Sequence, residues 1–314
     1  MSNLNESINE VKLVFGGLDN AGKTSFIVAL RQKYNYYETV QSLKPTIEID
    51  YSSFRFLDRY NINIWDMGGQ AKYRAMYENN PIYFDATDFL FYIIDIQDKD
   101  RFDNSLQYLK TLLGILETKE YSNEIIVCFH KFDPKYENNL LFKKARDNLK
   151  GSIIEQNPGK KFQFFDTSYY NIASLSYALS FGLNKLVNFD LVFNKLENLA
   201  SNYNCSYLGI YDQTALIIAD HYSDVMDERE FEENIKMKLK HDIVLIQKFK
   251  DEQMEFKENV AKLEDHVEYT QKLVIKAKDG TIILYFTAMA PELNIEEFKS
   301  DVTDLERILE KTLR

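Results

Sequence analysis

The chain has 314 residues and a mass of 37.0 kDa, more than one hydrophobic core usually organises, so two domains of unequal size are expected. With 45% hydrophobic and 28% charged residues, and apolar side chains spread throughout, it is neither a disordered tail nor a collagen-like repeat. Its 49 acidic against 38 basic residues give a net charge of -11, which excludes broad nucleic-acid binding but leaves room for a local pocket that holds one phosphorylated ligand.

In chain order, the first half alternates short apolar runs with helical patterns, as in a mostly parallel sheet flanked by helices. Strands are expected at Val11–Gly16, Ile47–Phe56, Tyr60–Trp65, Phe89–Ile96, Glu124–Phe129 and Phe162–Phe165. The second and third of these read as an antiparallel hairpin inserted into the parallel order. Helices are expected at Lys23–Tyr34, Arg101–Glu117, Leu140–Gln156 and Ile172–Leu186, where apolar residues recur at three and four spacing.

Beyond Leu186 the pattern changes, which sets a domain boundary between residues 186 and 187. A helix over Phe189–Asn202 leads into a hairpin, Ser206–Tyr211 and Thr214–Ala219. A second hairpin, Leu273–Ala277 and Thr281–Thr287, hinges on Lys278-Asp279-Gly280, where Asp-Gly supplies positive φ. An amphipathic helix over Ile295–Leu313 closes the chain. Between Gly209 and Gly280 there is neither Gly nor Pro, and Phe231, Ile235, Leu239 and Ile243 recur every fourth residue, so much of that stretch reads as packed helix. Two alternatives stay open: Val260, Leu263 and Val267 extending it as a short coiled coil, and Ile243–Ile246 forming a strand.

Gly17-Leu18-Asp19-Asn20-Ala21-Gly22-Lys23-Thr24 has the P-loop spacing and lies between a strand and a helix, with Ser25 next in line. Glycines let the backbone wrap phosphates with its N–H groups inward, and the helix N-terminus adds positive potential. Lys23 reaches the terminal phosphates, and the Thr24 hydroxyl is placed to ligate Mg²⁺. Asp66, at the end of an apolar strand, can hold Mg²⁺ through water. Gly69 can donate its N–H to a γ-phosphate, and Gln70 can orient the attacking water. Pro45-Thr46-Ile47 lies where a threonine completes the Mg²⁺ shell only while a γ-phosphate is present, which makes Thr46 a switch.

His130-Lys131-Phe132-Asp133 and Thr167-Ser168 each follow an apolar strand. The Asp133 carboxylate can accept two hydrogen bonds from the N1–H and N2–H₂ edge of guanine, which adenine lacks, so the expected ligands are GTP and GDP. The Lys131 stem would cover the base, and the Ser168 region would meet its carbonyl. His130 has two readings, a direct ligand contact or a strand-end imidazole packed beside the P-loop.

Together these elements resemble the Ras-like small GTPases over about Lys12 to Leu186. The P-loop, Pro45-Thr46-Ile47 and Trp65-Asp66-Met67-Gly68-Gly69-Gln70 look like the Arf family. Thr46-Ile47-Glu48-Ile49-Asp50, His130-Lys131-Phe132-Asp133 and Phe165-Asp166-Thr167-Ser168 look like the Rag/Gtr family, whose base motif also starts with histidine. The length favours Rag/Gtr proteins, which carry a C-terminal roadblock-type domain. That resemblance implies a P-loop GTPase domain over residues 1–186 and an α+β roadblock/longin-like interaction domain over 187–314. It implies a GTP-hydrolysing switch with catalytic Lys23, Thr46 and Gln70, and a metal site of Thr24, Thr46 and Asp66. It also implies homo- or heterodimers through the second domain, in which Phe189–Ala219 is expected to contribute the interface.

No arginine stands out as a cis-acting finger, so turnover is expected to be slow without a GTPase-activating partner, and an exchange protein is expected to reload the site. The competing functions are a nucleotide-bound scaffold or adaptor and an Arf-like trafficking GTPase. Cys128 and Cys205 lack metal or redox spacing and read as buried thiols of a reducing compartment. The polar start and the end without a prenylation cysteine suggest a cytoplasmic protein that meets membranes only through partners.

Overall fold

The computed structural model describes residues 9–32, 36–213, 216–223, 241, 256–277 and 280–314. Two compact units, Met1–Ala178 and Leu179–Arg314, divide within a helix upstream of Leu186. Elements are numbered below among the described residues.

The first unit runs β1 (Asn9–Gly16), α1 (Lys23–Gln32), α2 (Tyr36–Gln41), β2 (Ile49–Phe56), β3 (Tyr60–Met67) and α3 (Ala71–Asn79). It continues with β4 (Phe89–Asp95), α4 (Phe102–Glu117), β5 (Ile125–His130), α5 (Leu140–Gln156), β6 (Phe162–Thr167) and α6 (Ile172–Leu183), the last crossing into the second unit. The six strands lie in the order β2-β3-β1-β4-β5-β6. Only β2 is antiparallel, paired with β3 from Ile49↔Met67 to Phe56↔Tyr60. β4 and β5 read as continuous apolar runs because helices cover both faces of a parallel sheet, and β5 is buried along its whole length.

On one face Leu90, Tyr92, Ile94, Val127 and Phe129 meet Leu109, Leu112, Leu113 and Leu116 of α4, whose three and four spacing forms the facing stripe. On the other face Phe15 stacks on Phe91 at 4.8 Å and meets Phe26 of α1 at 5.4 Å. A fully packed sheet fixes the carboxyl ends of β1, β3, β4, β5 and β6 at one edge, where ligands of such folds bind.

The second unit holds α7 (Asp190–Tyr203), β7 (Tyr207–Asp212), β8 (Ile217–Tyr222), β9 (Glu258–Lys262), β10 (Val267–Ala277), β11 (Gly280–Ala290) and α8 (Ile295–Thr312). Its antiparallel sheet has the order β8-β7-β11-β10-β9. β10 and β11 pair continuously from Val267↔Ala290 to Ala277↔Gly280, where Gly280 has φ +144°. Buried Phe298, Val302, Leu305 and Leu309 form the inner stripe of α8, and Phe298 contacts Tyr269, Phe286 and Tyr203 of α7.

One expectation is corrected. Val260 and Val267 belong to β9 and β10, not to a coiled coil, and Leu263 lies in the turn between them. Their spacing fits a helix, but Val260 shares the exposed face of an edge strand with Glu258 and Lys262, in alternation with half-buried Asn259 and Ala261, and edge pairing to β10 decides the conformation. The expected helix through Phe231, Ile235, Leu239 and Ile243, the Ile243–Ile246 alternative and the Lys278-Asp279 turn lie outside the described residues, apart from residue 241.

Candidate functional site

The loop from β1 to α1 turns on Gly17 and Gly22, at φ +141° and +97°. A side chain at Gly17 would run into the Ile93 carbonyl of β4, and one at Gly22 would strike the His130 ring. Both glycines are therefore required by conformation and by space. Asn20 also has positive φ, Ala21 is buried with its N–H 3.4 Å from the Leu18 carbonyl, and Ser25 lies in the first turn of α1.

Lys23 is buried and donates to the carbonyls of Gly17 at 3.1 Å and Leu18 at 2.8 Å. Burial pulls its pKa down to about 8, against the opposing charges of Asp66 and Asp19. A buried ammonium bonded only to carbonyls gains when an anion enters the loop.

Beside it, the Thr24 hydroxyl donates to Asp66 Oδ2 at 2.5 Å and lies 2.8 Å from the Thr46 hydroxyl, which itself reaches Asp66 Oδ2 at 3.2 Å. Burial raises the Asp66 carboxyl pKa, opposed by Lys23 and by both hydroxyls. Asp66 Oδ1 is buried with no hydrogen-bond partner. Two hydroxyls and an orphaned carboxylate oxygen form a hard-oxygen donor set that fits Mg²⁺, which typically keeps several waters and takes few protein ligands.

Gly69 lies directly against the phosphate loop, since a side chain there would collide with the backbone of Leu18 and Asp19. The Gly68 N–H donates to the Glu48 carbonyl at 2.7 Å, and Tyr77 of α3 bridges the same two residues, its hydroxyl donating to Glu48 O at 2.6 Å and accepting from Gly68 at 3.1 Å. The Thr46 segment and the Gly69 segment are thus tied together. Gln70 caps α3 with extended backbone and no side-chain capping bond, which leaves its amide free of that duty.

The second cluster lies after β5 and β6. Asp133 accepts from Ser168 Oγ at 2.7 Å on one oxygen and from Gln97 Nε2 at 3.0 Å on the other. Lys131 donates to Asp95 at 2.6 Å and to the Asn20 carbonyl at 2.7 Å, joining this cluster to the phosphate loop. The His130 ring is fully buried, with Nδ1 3.1 Å from the Thr167 hydroxyl and Nε2 unpartnered. Burial, with a smaller contribution from Lys131, lowers its pKa to about 3, so the imidazole is neutral. It supports Gly22 from beneath.

Hydrogen bonds and close approaches bring Gly17, Asp19, Asn20, Gly22, Lys23, Thr24, Thr46, Asp66, Gly69, His130, Lys131, Asp133, Thr167 and Ser168 into two joined clusters, whereas Gln70 is placed only by its backbone at the start of α3 and Ser25 only by its position in α1. Four others join these clusters without a motif to mark them. Tyr77 bridges Glu48 and Gly68, Arg74 holds the Gly69 carbonyl at 3.0 Å, Gln97 holds Asp133, and Arg101 meets Asp19. Tyr77 alone carried a signal, its i,i+4 spacing from Tyr73 on α3, both of them buried.

Residues 12–244 match the Gtr1/RagA G protein conserved region. Over 130 residues the chain is 37% identical to ADP-ribosylation factor-like protein 3 of Chlamydomonas reinhardtii, a stretch that covers 41% of this chain and 67% of that protein. The solved Arl6 BBS3 small GTPase from Trypanosoma brucei, bound to the nucleotide analogue GppNp, aligns with a TM-score of 0.45 and 18% identity, covering 56% of this chain and 97% of its own. The conserved region takes in both clusters and extends into the second unit, and on that match the chain belongs to the Gtr1/RagA G protein family, which implies guanine-nucleotide binding.

Proposed function

We propose that the protein is a GTP-hydrolysing switch whose second domain, taken from residue 187 onward, pairs it with a second chain or recruits partners. The observation that carries this reading is the meeting of Thr24, Thr46 and the unpartnered Asp66 oxygen beside buried Lys23.

Lys23, the Gly22 turn and the α1 N-terminus receive the phosphates. Mg²⁺ held by Thr24, Thr46 and Asp66 would neutralise charge between the β- and γ-phosphates. The Gly69 N–H senses the third phosphate, and Gln70 orients the water that attacks it. Asp133, with Ser168 and Lys131 around it, reads the guanine edge, and the buried His130 with Thr167 holds that loop under the phosphate site.

The Thr46 segment is tied to Gly68 through Glu48 and Tyr77, so loss of the γ-phosphate would release both segments together. An activating protein that supplies an arginine would speed turnover by roughly 10³ to 10⁵. Among the described residues no helix is long and apolar enough to cross a membrane.

Multiple-turnover phosphate release with GTP and Mg²⁺ tests the reading. The unaltered chain is expected to turn over slowly and Gln70→Leu to fall to background with GTP affinity retained. Equal rates for the two, with and without candidate partners, would instead favour a nucleotide-bound scaffold.

A further inference from the structure

A carboxylate inside a loop that must receive phosphates is a liability, because like charges brought close in a partly dry site repel. Asp19 is such a carboxylate, and the chain answers it locally. The Arg101 guanidinium, at the start of α4, donates one nitrogen to Asp19 Oδ1 at 2.5 Å and another to the Asp19 carbonyl at 3.1 Å. Asp98 lies 4.0 Å away and braces the guanidinium from its own turn. Burial raises the Asp19 carboxyl pKa, but the hydrogen bond and charge of Arg101 outweigh it, and the group is held ionised below its ordinary range.

On the switch reading, Asp19 lies at the end of the phosphate loop that would take the terminal phosphate. Gly69, the residue that senses a third phosphate, abuts the Asp19 backbone nitrogen, whereas Asn20, next in the loop, is tied to the base side through Lys131. Lys23 shares one field with Asp66 and Asp19, which favour its charge, and with Arg74 and Arg101, which oppose it.

We propose that Arg101 neutralises Asp19 so that the phosphate loop accepts a third phosphate, and that this pair thereby sets the preference for GTP over GDP. The inference rests on the nucleotide-switch reading above. Its logic is charge balance: going from GDP to GTP adds negative charge at the end where Asp19 lies, so an unpaired Asp19 penalises GTP more than GDP. Arg101 is on this account a positioning and specificity residue, not a finger on the reacting atoms.

The test is equilibrium binding of fluorescent GDP and of a fluorescent non-hydrolysable GTP analogue to the full chain with Mg²⁺. Arg101→Ala is expected to weaken the GTP analogue about fivefold more than GDP, equivalent to about 1 kcal/mol. Adding Asp19→Asn to that variant is expected to restore the ratio, and Arg101→Lys to keep most of it. The side chains are 32% and 44% exposed, so the difference should shrink in high salt.

Equal weakening of both nucleotides by Arg101→Ala, or no restoration by Asp19→Asn, overturns the proposal and leaves Arg101 a structural brace. If Arg101→Ala does not fold, Asp19→Asn alone decides, since it frees the guanidinium for the ligand and must raise the GTP-to-GDP ratio. An unchanged or lower ratio overturns the proposal. Failure of the unaltered chain to bind either nucleotide removes the switch reading and this inference with it, whereas intact binding with an unmoved ratio removes only the inference.

Discussion

His130 shows how one buried side chain makes the nucleotide loop sensitive to acid. Its folded pKa is lowered to about 3 from an ordinary 6.5, chiefly by burial. Between those values the unfolded chain binds a proton that the folded chain refuses, so stability is full above pH 6.5 and is lost as pH falls, by about 1.4 kcal/mol per unit. His130→Asn removes that term. Urea unfolding followed by Trp65, the single tryptophan, at pH 7.5 and 5.0 should show the unaltered chain losing ~2 kcal/mol more than the variant over that interval. Equal losses would show that the imidazole titrates normally in the fold.

At the level of elements, local pattern and tertiary pairing divide the work. α4, α5 and β4 to β6 carry enough apolar periodicity to be placed from sequence. α2, with six residues, and α3, whose buried positions are the tyrosines Tyr73 and Tyr77, do not. β9 shows the opposite case, where a helical spacing yields to the pairing offered by β10. In the second unit α8 depends on its stripe, and Leu305 is fully buried in it. Leu305→Ala should cost about 2–5 kcal/mol, read as earlier loss of amide-exchange protection in β10 and β11. Unchanged protection there would mean that the helix does not hold the sheet.

For the whole molecule, the proposed pairing through the second domain has an observable basis. Leu191 and Phe193 of α7 are 62% and 39% exposed, and among the described residues β8 is at the end of the five-stranded order. Exposed apolar side chains on a helix are features that chain pairing uses. Light scattering at micromolar concentration is expected to give a dimer that Leu191→Glu with Phe193→Glu converts to monomer. A strict monomer for the unaltered chain, with and without nucleotide, counts against self-pairing.

The sequence by itself marked the phosphate loop, the proposed Mg²⁺ donors and the proposed base-reading loop, because those functions would demand fixed residue types at short spacing next to strand ends. Gly17 and Gly22 could be read that way, since no other residue combines positive φ with such close neighbours. Only the tertiary structure decided that His130 lies under Gly22, that Tyr77 joins the Glu48 and Gly68 segments, and that Arg101 meets Asp19. Those contacts join residues far apart in the chain, and nothing in local spacing encodes which strand end or helix start will arrive beside the loop. The parallel sheet brings them there by stacking the carboxyl ends of β1, β3, β4, β5 and β6 at one edge.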